Sequence, residues 1–172
     1  AWLRAHEKSK GGYSIVGFEL DHTLSESGSV SRGICAYDKE QHLTDIVEHL
    51  NIAREADGKV YGDNSLTGET HVELVADNLC SMNMWGFTPD YFEKSEKIFE
   101  SFLEQNINEL KKEFYIPYAI DCMIKSGEAQ TDVLSTPSHW FGVTYKEDRP
   151  AVVAKFQEFA DKGVYPTPLY TK

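Results

Sequence analysis

The segment SMNMWGF (residues 81–87), followed directly by TPDYFEKSEKIFESFLEQN (residues 88–106), predicts a buried strand that leads into a capped helix. The strand segment has no charged residue, which is typical of a strand buried on at least one face. Thr88 is predicted as the N-cap and Pro89 as the first helical residue, because proline lacks the N–H group that would be unpaired there. One apolar stripe follows at helical spacing: Tyr91, Phe92, Ile98, Phe99, Phe102 and Leu103. A strand and a helix that packs back on it predict an α/β sheet.

The composition predicts one soluble, cytoplasmic domain over residues 1–172. Hydrophobic residues make up 41% and charged residues 26% of the chain, as in ordinary globular proteins. The net charge of −11 argues against nucleic acid as a partner, since phosphate binding needs a basic face. No apolar run approaches the ~18 residues of a membrane span, so no membrane partner is expected. The cysteines Cys35, Cys80 and Cys122 are predicted to be reduced, buried thiols.

Patterns in the rest of the chain complete the α/β prediction. A strong β-run, YSIVGFEL, predicts a central strand over residues 13–20. Two short segments joined by a polar turn predict a β-hairpin over residues 33–50. Further elements are predicted as a helix over 1–9, a loop over 21–33, a surface excursion with a minor hairpin over 53–70, a helix over 113–127, a strand over 129–136, and a last helix from Asp148 to Gly163 with Val152, Val153, Phe156 and Phe159 facing inward.

Several candidate sites depend on one or two polar residues. Asn83 lies inside the predicted strand, where a buried amide needs a hydrogen-bond partner. The loop GSVSRG (residues 28–33) has the glycine spacing of a phosphate-binding loop, but Ile34 and Cys35 stand where lysine and serine or threonine should follow. A nucleotide P-loop is therefore not predicted. Two interpretations of residues 25–33 stay open: a looser ligand-binding role for their hydroxyls and guanidinium group, and ordinary surface-loop chemistry.

The histidines do not indicate a metal site, because none has the spacing of a metal-ligand pair. Glu48 and His49 are adjacent, and neighbours on a strand point to opposite faces, so both cannot enter one pocket without a bulge. His49 is predicted to be an exposed strand residue. The corner Trp140-Phe141-Gly142 predicts core packing and a tight turn. These residue patterns alone establish no more than a soluble α/β domain.

Five ordered segments carry a resemblance to a known family: LSESGSVSRGIC, IVEHLNI, SMNMWGFTPDYF, EFYIP and HWFGVTYKEDRPAVV. Together they resemble the carboxy-terminal half of a sugar-phosphate nucleotidyltransferase of the NDP-sugar pyrophosphorylase type. The resemblance implies a Rossmann-like fold with a mixed central sheet flanked by helices. It also implies transfer of a nucleotidyl group from an NTP to a sugar 1-phosphate with release of pyrophosphate, assisted by Mg²⁺.

The resemblance implies substrate-binding roles for three residues. Gly33 matches a glycine whose backbone lies against the sugar, Glu48 an acid that accepts hydrogen bonds from sugar hydroxyls, and Asn83 a residue of the strand that lines the sugar pocket. Arg32 and His49 are the candidate phosphate contacts, although His49 stands where many members have a lysine. Residues 140–144 correspond to a strand end that often carries a metal-binding aspartate. Gly142 stands at that position, so the implied Mg²⁺ site is incomplete and no metal ligand or catalytic residue is assigned.

The family's amino-terminal glycine-rich loop, which binds the NTP phosphates, has no counterpart in this sequence. The chain is therefore expected to be the acceptor half of such an enzyme, inactive alone and lacking its amino-terminal half. Its sheet is expected to have an unpaired strand edge, which would favour homo-oligomers. Its partners are expected to be a sugar 1-phosphate and, in the intact protein, an NTP. The alternative is a non-catalytic, regulatory module that binds a sugar or another small molecule.

Overall fold

The computed structural model describes residues 1–25, 28–143 and 146–170. They form two compact units, Ala1–Ser138 and His139–Lys172, which are described separately. The prediction of one domain over residues 1–172 stays a prediction. None of the helices in the described ranges has both the length and the apolar character that crossing a membrane requires.

The first unit is built on a seven-stranded sheet in the order β5-β4-β3-β2-β6-β1-β7. Strands β1 and β7 are parallel, and the other neighbouring strands are antiparallel. This mixed sheet confirms the predicted α/β class, whereas the Rossmann-like nucleotidyltransferase fold stays a prediction. The strands are β1 Gly12–Glu19, β2 Val30–Tyr37, β3 Leu43–Arg54, β4 Val60–Asn64, β5 Val72–Leu74, β6 Leu79–Gly86 and β7 Gln130–Thr136.

The two longer helices of the first unit pack on one face of this sheet. The helices of this unit are α1 Trp2–Ala5, α2 Asp90–Asn106 and α3 Ile116–Lys125, with a 3-10 turn at Leu20–Thr23. The predicted helix over residues 1–9 is thus only four residues long. The predicted hairpin over 33–50 is confirmed as the antiparallel pair β2 and β3.

The main core lies between the sheet and helices α2 and α3. Its buried members are Tyr13, Ile15, Cys35, Leu43, Leu79, Tyr91, Ala119, Ile120, Met123 and Val133. The predicted stripe of α2 contributes Tyr91 and the half-buried Ile98 to this core. Phe92, by contrast, is 73% exposed, so the stripe prediction is wrong there. The stripe is wider than the surface that the helix shares with the sheet.

A second core cluster covers the opposite face of the sheet. Phe18 and Ile34 both pair with Cys80, and residues in register across neighbouring strands share a face. The buried members of this cluster are Leu20, Ile52, Val60, Leu74 and Cys80. The 3-10 turn after β1 therefore supplies packing on the face that α2 and α3 leave uncovered.

Helix α2 begins differently from the prediction. Pro89 occupies the N-cap position, and no side chain caps the helix. The hydroxyl of Thr88 instead donates a hydrogen bond to Asp90 Oδ1 at 2.5 Å. Asp90 Oδ2 accepts a bond from the N–H group of Gly11 at 2.8 Å and lies 2.9 Å from Lys94 Nζ. This network ties the start of α2 to the start of β1.

The edge strand β7 is partly covered on its outer side, while the expected unpaired strand edge stays a prediction. The turn between β2 and β3 reaches it, where Val133 N–H donates to the carbonyl oxygen of Gln41 at 2.8 Å. His42 forms an isolated antiparallel bridge with Asp132. The hairpin turn therefore covers part of the edge at which a further strand would pair.

The second unit contains the 3-10 turn Lys146–Asp148 and helix α4 Arg149–Asp161. Phe141 packs against Phe156 and Phe159, with ring centroids 5.4 and 5.9 Å apart. Val153 and Phe156 are more than half exposed, so their predicted inward orientation is wrong in this unit. Trp140 is also exposed rather than core, and its ring lies over Gly142. Thr144, in the strand end named by the resemblance, lies outside the described residues.

Candidate functional site

A row of small residues crosses the middle of the sheet. Residues in register across adjacent strands share one face. Read from β7 to β3, the row contains Ser135, Gly17, Ser81, Gly33 and Glu48. We call it the small-residue row. It ends at a carboxylate, on the face that also carries the core beneath α2 and α3.

Gly33 makes room for the carboxylate of Glu48. A Cβ atom at Gly33 would lie 3.4 Å from Glu48 Oε2 and 3.0 Å from Ile46 Cγ1. Both neighbouring side chains come from β3, the hairpin partner of β2. A side chain at this position would force both neighbouring groups to shift, so glycine favours their close approach to the backbone of β2.

Glu48 has an unusual electrostatic setting for an exposed residue. Partial desolvation by neighbouring protein atoms raises the pKa of its carboxyl group. The positive charges of Arg32 and His49 oppose this effect and lower the pKa. A carboxylate that is partly desolvated yet accessible is the kind of group that occurs at binding sites.

Two residues near Glu48 were not predicted. Ser81 lies on β6 directly opposite Gly33 and is buried. Tyr115 precedes α3, and its pKa is raised, first by a hydrogen bond to Glu113 and to a smaller extent by the charge of Glu48. Both residues occur in the segments SMNMWGFTPDYF and EFYIP, which was the only sequence signal that could have identified them.

Asn83 does not have the predicted buried amide. It is exposed, has a positive φ of 55°, and lies where β6 carries extra residues opposite β1. Asparagine tolerates this left-handed conformation better than most residues, and such a bulge turns side chains away from the regular alternation. Its N–H group donates to Ser81 Oγ at 3.2 Å, so Asn83 directly follows the small-residue row.

Arg32 lies on the opposite face from Gly33 and Glu48, because neighbouring strand residues alternate. Its Nε and Nη2 donate to Thr23 Oγ1 and to the Thr23 carbonyl oxygen at 3.1 and 2.6 Å. Desolvation lowers the pKa of the guanidinium group. These bonds connect β2 to the 3-10 turn, so Arg32 has a structural function on that face. Residues 26 and 27 of the same loop lie outside the described residues.

His49 is in register with Arg32 and is 6% exposed, so its predicted exposure is wrong. Its Nδ1 lies 3.0 Å from the carbonyl oxygen of Val47. The prediction that Glu48 and His49 point to opposite faces agrees with this register. The structure thus places Gly33 and Glu48 on one face and both candidate phosphate contacts on the other.

The described residues do not fit the Mg²⁺ ion that the resemblance implies. Among them, no three His, Cys, Asp or Glu side chains are grouped so that they could hold a metal ion. Asp132 is occupied at both oxygens, by Trp2 Nε1 at 2.7 Å and by His42 Nδ1 at 3.1 Å. Gly142, which stands at the expected aspartate position, offers no side-chain oxygen. We therefore derive no step that passes through a metal ion.

The cysteines do not indicate a nucleophile. All three are free thiols, Cys35 and Cys80 being buried and Cys122 half-buried. Burial, followed by the nearby Cys80, raises the pKa of Cys35 to about 12. A thiol in this state is not ionised at neutral pH and is unreactive. The predicted reduced state agrees with these positions.

The fold and the small-residue row define an α/β protein with a mixed sheet and one exposed, partly desolvated carboxylate. No protein-family model matches this chain, and no curated protein matches it significantly. The resemblance to nucleotidyltransferases is therefore carried by the sequence segments alone.

Proposed function

We propose that this chain binds the sugar 1-phosphate acceptor of a nucleotidyltransferase. The observation that carries the proposal is the position of Glu48, whose exposed carboxylate lies across the bare backbone of Gly33. A carboxylate accepts hydrogen bonds from two neighbouring hydroxyl groups, and a glycine lets a flat ring approach the strand closely. This arrangement suits a sugar better than an apolar ligand.

Neighbouring groups on β6 add to this recognition. The exposed side-chain amide of Asn83 supplies both a donor and an acceptor. Asn83 lies next to the small-residue row, because its backbone N–H group donates to Ser81 Oγ. Each neutral hydrogen bond to a sugar hydroxyl contributes about 0.5–1.5 kcal/mol, and each bond to the charged carboxylate about 1.5–3 kcal/mol. Glu48 is therefore the strongest single contact in the proposal.

The proposal gives Arg32 an indirect role. A sugar bound on the face of Glu48 places its phosphate on that same face, away from Arg32 and His49. The guanidinium charge of Arg32 acts through the sheet instead, because it opposes the rise in the pKa of Glu48 that desolvation causes and so favours the ionised carboxylate. An ionised carboxylate is the stronger hydrogen-bond acceptor.

Calorimetric titration of the chain with glucose, mannose and galactose 1-phosphates tests this proposal. Glu48→Gln should weaken the best of these ligands about tenfold, since it replaces a charged acceptor by a neutral one. The same change should leave inorganic phosphate unaffected. Glu40→Gln, at an exposed position in the β2–β3 turn, is the matched control and should change neither ligand. Equal losses for sugar phosphate and inorganic phosphate would contradict the role of Glu48.

A second measurement separates the acceptor role from a non-catalytic sugar-binding module. The sequence has no Gly-x-Gly-x-Arg loop, so the proposal assigns NTP binding to residues other than these. The chain alone should release no pyrophosphate from an NTP and a sugar 1-phosphate, because the groups that neutralise charge at the NTP are missing. Turnover by the chain alone would contradict the proposal. Equal affinity for glucose and glucose 1-phosphate would favour the sugar-binding module.

A further inference from the structure

Helix α2 carries an apolar groove on the side that does not face the sheet. The groove is lined by Phe92 and Phe99 from the helix and by Phe114 from the segment before α3. Phe92 is 73% exposed and Phe99 40% exposed, although both are large aromatic side chains. Exposed apolar surface of this kind, bordered by polar residues, is typical of an interaction site.

The groove has the geometry of a helix-binding surface. Phe92, Phe99 and Leu103 are spaced by seven and four residues, so they lie on one side of α2 over roughly 16 Å. Phe114 forms a second wall, because its ring packs against Phe99 and Phe102 with centroids 5.1 and 5.4 Å apart. An apolar stripe beside a fixed wall fits about three turns of an amphipathic helix.

The charged side chains that line the groove are both acidic. Glu93 and Glu96 line it, and Glu100 is exposed one turn further along. Lys94, which follows Glu93, is bound to Asp90 and to the carbonyl oxygen of Glu128 at 2.9 and 2.8 Å, and the exposed Lys97, which follows Glu96, is not among the residues that line the groove. A second copy of this chain would bring a net charge of −11 against the same acidic rim, which disfavours self-association. The complementary occupant carries positive charge.

We propose that this groove binds a basic amphipathic helix of a partner protein, whose apolar stripe covers Phe92, Phe99 and Phe114. Lysine or arginine residues beside that stripe pair with Glu93 and Glu96 at the rim. The apolar contact supplies affinity, and the rim charges select the partner and accelerate its association. The site is independent of the sugar proposal, since no residue of the small-residue row belongs to it.

Fluorescence anisotropy with synthetic peptides and the full chain tests this proposal. The probe is a labelled helical peptide of about 14 residues, with leucines at helical spacing and lysines flanking them. One matched peptide has glutamate at every lysine position, and another has the same composition with the leucine stripe scrambled. The lysine peptide should bind at least about tenfold more tightly than either control. Raising the ionic strength to about 1 M should weaken its binding, because the Debye length falls to about 3 Å.

Variants of the groove locate the binding surface. Phe92→Ala with Phe99→Ala should weaken the lysine peptide about tenfold or more, as expected for central aromatic contacts. Leu66→Ala is the matched control, because Leu66 is 74% exposed and lies between β4 and β5, outside the groove; it should have no effect. Glu93→Lys with Glu96→Lys should reverse the preference between the lysine and glutamate peptides. These charge variants leave the apolar contacts in place.

Two results would overturn the proposal. Equal binding of all three peptides, unchanged by the groove variants, would show that the groove does not select a basic helix. Concentration-dependent self-association in sedimentation, abolished by Phe92→Ala, would show that a second copy occupies this face instead.

Discussion

Asp90 and Glu48 are both partly desolvated carboxylates of the first unit, yet their pKa values shift in opposite directions. Burial alone would raise the pKa of Asp90, but hydrogen bonds from Thr88, Lys94 and Gly11 outweigh it and lower the value to about 2. Burial raises the pKa of Glu48, and the charges of Arg32 and His49 only oppose it. The number of donors that reach each carboxylate decides the direction.

The difference distinguishes a carboxylate that stabilises the fold from one that is available to a ligand. Asp90 accepts hydrogen bonds at both oxygens, from Thr88 just before α2 and from Gly11 just before β1. Glu48 lies at the end of the small-residue row, where the glycine beside it offers no side-chain donor. A group that costs free energy in the folded chain but can accept hydrogen bonds from a ligand is the expected signature of a binding site.

The largest expected change in stability comes from removing the charge of Asp90, whose two oxygens both accept hydrogen bonds. Asp90→Asn should lower the free energy of unfolding by about 2–3 kcal/mol, since it removes the charge that Lys94, Thr88 and Gly11 contact. Urea unfolding at neutral pH measures this change. Glu93→Gln, an exposed position in the same helical turn, should change stability by less than about 0.5 kcal/mol. Equal effects of the two variants would show that the network around Asp90 does not stabilise the fold.

The pH dependence should follow from the same carboxylate. The pKa of Asp90 in the folded chain, about 2, lies below its ordinary value of 3.8. A lowered pKa means that the contribution to stability is complete above pH 4 and is lost as pH falls from 4 towards 2. The difference in stability between wild type and Asp90→Asn should therefore shrink over this interval. A difference that stays constant down to pH 2 would contradict the lowered pKa.

An intermediate effect is expected at the glycine beside Glu48. Gly33→Ala places a Cβ atom 3.0 Å from Ile46 Cγ1 and 3.4 Å from Glu48 Oε2. Both neighbours are side chains that can shift, so the loss of stability should be about 1 kcal/mol. Gly28→Ala is the matched control, because nothing lies within 4 Å of its Cβ position. Thermal unfolding of both variants checks the difference, and equal melting temperatures would mean that Glu48 does not lie across Gly33.

The sequence patterns predicted the elements whose signals are local. The charge-free run before Thr88 and the helical spacing after it predicted β6 and α2, and the polar turn between two short β-runs predicted the hairpin. The adjacency of Gly33 and Glu48 follows from that hairpin. The pairing of Gly33 with Ser81 could not be predicted, because β2 and β6 are paired through the tertiary fold rather than through a short turn.

The wrong predictions have one cause in common, which is contact between elements that are distant in the sequence. Asn83 was expected to be buried because it lies within an uncharged strand segment, whereas a bulge in β6 turns it outward. Thr88 has the chemistry of an N-cap, but its hydroxyl donates to Asp90, which also accepts a hydrogen bond from Gly11 just before β1. His49 is buried because its face of β3 lies beside the second core cluster, which no local pattern reveals.

The smallest expected change in stability comes from Glu48, and its sign is opposite to that of Asp90→Asn. It tests the comparison between the two carboxylates most directly. The raised pKa of Glu48 means that its ionised form is disfavoured in the folded chain. The ionised carboxylate therefore destabilises the fold above its folded pKa. This effect disappears as pH falls below 4.5, the ordinary pKa of a glutamate. Glu48→Gln should therefore increase the free energy of unfolding at pH 7, by no more than about 0.5 kcal/mol because the side chain is exposed and water screens it. The increase should vanish near pH 3, where Glu48 is protonated in both states.

Urea unfolding at the two pH values, with Glu40→Gln as the exposed control, measures this small difference. A loss of stability as large as that of Asp90→Asn would show that Glu48 is a second structural carboxylate, and the assignment of the small-residue row to ligand binding would then have to be abandoned.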